Sequence, residues 1–150
     1  MQTFGNLTVH RSSFQNGDGS GLTVYDAAKV VIEDSVFSGN EVYGLYTEWT
    51  SSRPDFSTEG QDIEISNSRF EQNGFEGYLA SNLGTLPRLS LLQNEFFGND
   101  LNAASFCCSE VYGDLVLSGN SGAGNGVSGS CEDFVFFGLP ETCFPLDVEQ

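Results

Sequence analysis

Hydrophobic residues in this chain recur as apolar–x–apolar pairs at five places: Leu7 and Val9, Val30 and Ile32, Ile63 and Ile65, Leu89 and Leu91, Leu115 and Leu117. Alternate residues of a strand face the same way, so each pair predicts a short strand with one buried stripe. The starts lie 23, 33, 26 and 26 residues apart. A constant phrase at unequal intervals predicts a solenoid that keeps one cross-section and places its insertions in loops.

Further columns appear when the five starts are aligned. Five residues on come Ser12, Ser35, Ser68, Asn94 and Asn120. Small polar residues there predict a sharp corner with a left-handed residue, a conformation Asn tolerates. Two places later stand Phe14, Phe37, Phe70 and Phe96, then Gly122. Past the corner, these rings are expected to point inward and stack at a strand spacing of about 4.8 Å. Ten places from the start come Asn40, Asn73, Asn99 and Asn125; the first phrase has its Asn one place early, at Asn16. Fourteen places on stand Gly21, Gly44, Gly77, Ala103 and Gly129, each small where a third strand would begin. Leu22–Val24, Leu45–Thr47, Tyr78–Ala80 and Ala104–Phe106 read as that strand. The predicted fold is all-β: a triangular tube of about five three-strand coils with parallel sheets. A β-sandwich would not require matching Asn and Gly columns.

This phrase resembles the right-handed parallel β-helix repeat of the pectin lyase-like superfamily, over roughly residues 5–131. The resemblance implies right-handed parallel β-helix coils over about 5–131 of a single domain, 1–150; the apolar run Phe134–Phe137, followed by Pro140 and Pro145, reads as a last strand and a cap over 132–150. It also implies that Asn40, Asn73, Asn99 and Asn125 form a structural ladder along the tube axis; local turn capping is the alternative role. Lyases of that superfamily typically use calcium-bound acids with an Arg or Lys, and its hydrolases use clustered Asp. Arg53 with Glu48, Asp55 and Glu59 is the only local group similar to a lyase set. The paired-Asp, Gly-His-Gly and Asp-Pro-His signatures of its hydrolases and epimerases are not in the chain. No catalytic residue is therefore assigned.

The residue before each start is Asn6, Lys29, Asp62, Arg88 or Asp114. In-register stacking would set these side by side as a ladder of alternating charge, which specifies register more than stability.

Charge narrows the partners. Five Lys and Arg stand against 21 Asp and Glu, for a formal charge of −16. Such a chain repels nucleic acid phosphates and anionic lipid. Calcium is conceivable, but no cofactor is required. The stretch Asn16–Gly21 mimics an EF-hand loop, yet Phe14 and Tyr25 stand where that loop needs acids, so it reads as a turn. No apolar run reaches membrane-spanning length, and Met1–Phe4 lacks the features of a signal peptide. Cys107, Cys108, Cys131 and Cys143 have no CxxC spacing, and His10 is the only histidine, which argues against zinc. Two disulfides pinning the C-terminal end, or four buried thiols, are the remaining readings. Disulfides would fit an extracellular or cell-surface location.

The second coil carries a long insertion, Glu48–Gly60, that holds the only Trp. Long loops on solenoids often form the binding face. Tyr25, Tyr46, Glu48, Trp49, Arg53 and Asp55 are the candidate carbohydrate-binding residues, because rings stack on pyranose faces and polar groups bond hydroxyls. In the competing reading of the loop, Trp49 and Phe56 pin it to the tube. The functional expectation is a β-helix that binds, and could also process, a polysaccharide or glycan. The alternative is a structural or adhesive segment that associates end to end or belongs to a larger parent chain. An ice-binding face would need a Thr ladder, and the outward column reads Thr23, Tyr46, Leu79, Ser105.

Overall fold

The computed structural model describes residues 5–49, 61–81, 88–107, 114–126, 134–137 and 142–144. Every regular element among them is a strand. The first sheet stacks β1 (Asn6–His10), β4 (Lys29–Glu33), β7 (Asp62–Ser66), β10 (Arg88–Leu92) and β13 (Asp114–Ser118) in that order. The second stacks β2 (Ser13–Gln15), β5 (Val36–Ser38), β8 (Arg69–Glu71), β11 (Glu95–Phe97) and β14 (Ser121–Ala123). The third stacks β3 (Leu22–Tyr25), β6 (Leu45–Glu48), β9 (Tyr78–Ser81), β12 (Ala104–Cys107) and β15 (Phe134–Phe137). All these pairings are parallel. A last strand, β16 (Thr142–Phe144), pairs antiparallel with β15. The register is the one the repeats predict: Leu7 pairs with Val30, Val30 with Ile63, Ile63 with Leu89, and Leu89 with Leu115.

The interior is a set of axial stacks. Phe14, Phe37, Phe70 and Phe96 lie ring on ring, with centroids 5.0, 4.8 and 5.0 Å apart and planes within 9° of parallel. Between β9 and β12 of the third sheet large residues meet small ones: Tyr78 lies beside Ala104, and Phe106 beside Ala80. That alternation fills the tube without overpacking. The Tyr78 hydroxyl is satisfied inside by the Thr47 hydroxyl at 2.9 Å.

Two polar ladders hold the corners. The side-chain amide of Asn40 donates to Asn73 Oδ1 at 3.0 Å, Asn73 to Asn99 at 2.8 Å, and Asn99 to Asn125 at 2.8 Å. Each amide also donates to a phenylalanine carbonyl of the preceding coil, as Asn73 does to Phe37 at 3.2 Å. The backbone N–H of each Asn donates to the next side chain as well. Gly17, at the ladder position of the first coil, keeps this last bond with its own N–H, to Asn40 Oδ1 at 3.1 Å. The ladder role is the observed one. At the other corner Ser12, Ser35, Ser68 and Asn94 each donate a backbone N–H to the side-chain oxygen of the next coil's Ser or Asn.

The left-handed residue at that corner is not the Ser or Asn, as expected, but the one before it. Arg11, Asp34, Asn67, Gln93 and Gly119 have φ between 45° and 65°. The Ser or Asn is instead fixed by its hydrogen bonds to the neighbouring coil. The third small column has a steric cause: a Cβ on Gly44 would lie 2.5 Å from the Gly77 carbonyl oxygen, and one on Gly21 2.7 Å from that of Gly44.

The charge column forms in part. Asp62 Oδ2 lies 3.9 Å from Lys29 Nζ and 3.1 Å from Arg88 Nη2. Exposed pairs of this kind are worth about 0–1 kcal/mol each. The expected C-terminal strand is β15, which begins at Phe134 and pairs in parallel with β12. The side chains of all four cysteines, and with them any disulfide, lie outside the described residues.

Asn73→Ala removes the acceptor of the Asn40 backbone N–H and of one of its side-chain N–H groups, and one donor to the Phe37 carbonyl, at about 1–3 kcal/mol per unmatched group. Urea denaturation is expected to show a loss of about 3 kcal/mol or more, against under about 0.5 kcal/mol for Thr8→Ala on the outer face of β1.

Candidate functional site

Strand alternation turns Thr23 and Tyr25 of β3, Tyr46 and Glu48 of β6, and Leu79 and Ser81 of β9 to the outer face of the third sheet. The register pairs Thr23 with Tyr46, Tyr46 with Leu79, and Tyr25 with Glu48. The turn leading into this sheet adds a second line. Hydrogen bonds between coils place Gly19, Val42, Phe75 and Leu101 over one another. The residue that follows in each coil, Ser20, Tyr43, Glu76 or Asn102, borders the sheet.

The two lines meet in a cluster of rings. Tyr25 sits edge-on to Tyr46, centroids 6.0 Å apart at 79°. Tyr46 stacks on Tyr43 at 5.6 Å and 23°, and Tyr43 touches Phe75 at 5.8 Å. Phe75 is 44% exposed, one of two large hydrophobic residues exposed to that degree among those described. The Tyr46 hydroxyl donates to Glu48 Oε2 at 2.8 Å. Partial burial, helped by this bond, pushes the Tyr46 phenol up to about 12, so it remains a neutral donor at ordinary pH. Burial also raises Tyr43, as does the Glu76 carboxylate near it.

Glu76 closes the far side. Its side chain is held by Ser105 Oγ, which donates to Oε1 at 3.0 Å, and Asn102 Nδ2 donates to that hydroxyl at 3.1 Å. Glu76 is only 7% exposed, and desolvation raises its pKa above the ordinary 4.5, with the Ser105 bond opposing the shift. This network also buries Ser105, which the sequence places on the outward column.

Of the sequence-predicted binding residues, Tyr25, Tyr46 and Glu48 come together on this face. Trp49 is 7% exposed, so its ring offers little surface for stacking, as in the reading that has it pin the loop. Arg53 and Asp55 lie outside the described residues. His10 stands apart at the first corner, within 3.5 Å of Glu33 and 3.8 Å of Asp34. Sequence reasoning missed Tyr43, Phe75, Glu76 and Asn102. Extending the column alignment to the two residues before the small column would have found them. Among the described residues no group of three or more His, Cys, Asp or Glu converges to hold a metal ion. No helix among them is long and apolar enough to cross a membrane.

The raised pKa of Glu76 has a consequence for stability. A carboxyl whose folded pKa is raised keeps its proton longer in the folded state, so the unfolded chain binds fewer protons between the two pKa values. Stability from this group is full below about 4.5 and is lost as pH rises through the higher folded pKa. Glu76→Gln is expected to remove this loss. Urea titrations should show the variant gaining on the wild type from acid to neutral pH; a difference independent of pH would contradict the assignment.

Comparison with known proteins agrees with the geometry. The family model described as right handed beta helix region matches residues 1–132. Neither curated proteins nor solved structures yield a match. With parallel strands stacked in three sheets and a family match over most of its length, the chain belongs to the right-handed β-helix family.

Proposed function

We propose that this protein is an extracellular or cell-surface β-helix that binds a polysaccharide on the outer face of its third sheet. The observation that carries this is the contiguous cluster of Tyr25, Tyr46, Tyr43 and Phe75 on the outer face of the third sheet and the turn that borders it. Rings in this setting offer flat apolar surface to sugar faces, while phenol and carboxyl groups bond hydroxyls. Successive coils advance by about 4.8 Å, so a sugar chain lying along the axis meets a new rung with each coil.

A second reading has its own observation. Among the described residues β1, β2 and β3 pair on one side only, and Leu7, Phe14 and Leu22 at that end are only partly buried. This favours a structural segment that stacks on further coils, either of a parent chain or of a second copy.

Affinity electrophoresis through gels containing polysaccharides tests the first reading. Tyr43→Ala and Tyr46→Ala are each expected to weaken binding by about ten-fold, or about 1.4 kcal/mol. Trp49→Ala should lower stability while leaving the affinity of the folded fraction unchanged. Unchanged retardation in both tyrosine variants would remove the face from consideration. Sedimentation over a range of concentrations tests the second reading in its second-copy form, which requires end-to-end association.

A further inference from the structure

Resting on that reading of the third-sheet face, we propose that the glycan it takes bears protonated amines, and that Glu48 beside the Tyr46 ring is the group that selects them. The placement of cations argues first. The chain has five Lys and Arg. Arg11 sits at the first corner, Lys29 and Arg88 lie on the first sheet, and Arg69 lies on the second; Arg53 is outside the described residues. Each of the four is already beside a carboxylate: Arg11 with Asp34 at 3.9 Å, Lys29 with Asp62 at 3.9 Å, Arg88 with Asp62 at 3.1 Å, and Arg69 with Glu71 at 2.8 Å. Among the described residues, none is left on the third-sheet face to meet a uronate or a sulfated sugar.

The acids argue second. Glu48 lies on the face, Glu76 borders it, and Glu41 and Asp100 occupy the turn that also carries Phe75. None of these four pairs with a described Lys or Arg. A polyanion brought to this surface would meet unopposed carboxylates, on a chain of net charge −16. An ammonium group meets the opposite: a carboxylate to bond and electron-rich ring faces within reach of the same charge. Glu48 is the best placed of the four, because its Oε2 accepts from Tyr46 at 2.8 Å and the register sets it beside Tyr25. Rings hold the sugar and the acid reads its amine, so the two contributions can be separated by experiment.

Calorimetric titration of the full chain at mildly acid pH compares four probes: a glucosamine hexamer, its fully N-acetylated counterpart, an oligogalacturonate of equal length, and oligolysine. The glucosamine hexamer is expected to bind about ten-fold more tightly than the acetylated one, with no binding of the oligogalacturonate. Glu48→Gln keeps an acceptor for Tyr46 and is expected to reduce the amine preference to under about three-fold. Equal or tighter binding of the oligogalacturonate overturns the amine assignment and leaves glycan binding standing. Oligolysine binding as tight as the glucosamine hexamer, or an amine preference untouched by Glu48→Gln, shows diffuse attraction to an acidic surface and also overturns it. Failure of all three sugars to bind removes the glycan reading itself.

Discussion

Everything in this fold depends on the side-chain amide of one asparagine meeting that of the next, coil after coil. An amide has two donors and an acceptor oxygen, and in the interior of the tube each must be satisfied. Asn73 uses all of them at once: it donates to Asn99 and Phe37 and accepts from the side chain and backbone of Asn40. A coil displaced by one residue would leave these groups unmatched and would turn Val30, Ile63 and Leu89 to solvent. The phenylalanine stack adds apolar burial, but rings slide over one another more readily than amides do. The amides are therefore what fixes axial position, and the rings fill the space that results.

The order this imposes explains where variation is allowed. The interval between second and third coils is 33 residues, against 26 for the next two, yet Lys29 still pairs with Asp62 in register. An insertion costs little if it leaves the cross-section untouched, because the entropy of loop closure grows only slowly with length. Outer positions are freer still. Ser20, Tyr43, Glu76 and Asn102 occupy equivalent places in successive coils, and no two share chemistry. The proposed recognition surface is thus assembled from positions that the fold does not constrain.

That freedom also determined what could be read from the sequence. The strand starts, the phenylalanines, the asparagines and the small column repeat because burial or close approach permits few residue types, and all were legible. The left-handed corner residues were not. Arg11, Asp34, Asn67, Gln93 and Gly119 share a backbone conformation but no side-chain role, so only their Ser or Asn neighbours carry a pattern. Tyr43 and Phe75 were missed for the converse reason: they occupy aligned positions before the small column, but their aromatic character belongs to single coils. Glu48 and Tyr46 were found because a long loop drew attention to that end of β6, although the described part of the cluster extends toward the opposite end of the strand.

The ladder also bears on how the protein ages. Asn73 precedes Gly74 and Asn125 precedes Gly126, a dipeptide in which the glycine nitrogen readily attacks the asparagine side chain, expelling ammonia. Here the Gly74 N–H is held on the Asn40 carbonyl at 2.8 Å and the Gly126 N–H on that of Asn99 at 3.0 Å. The target amides are themselves anchored to Phe37 and Phe96. Neither partner can rotate into the other, so the bonds that set the geometry of the tube also shield these two fragile dipeptides from spontaneous deamidation.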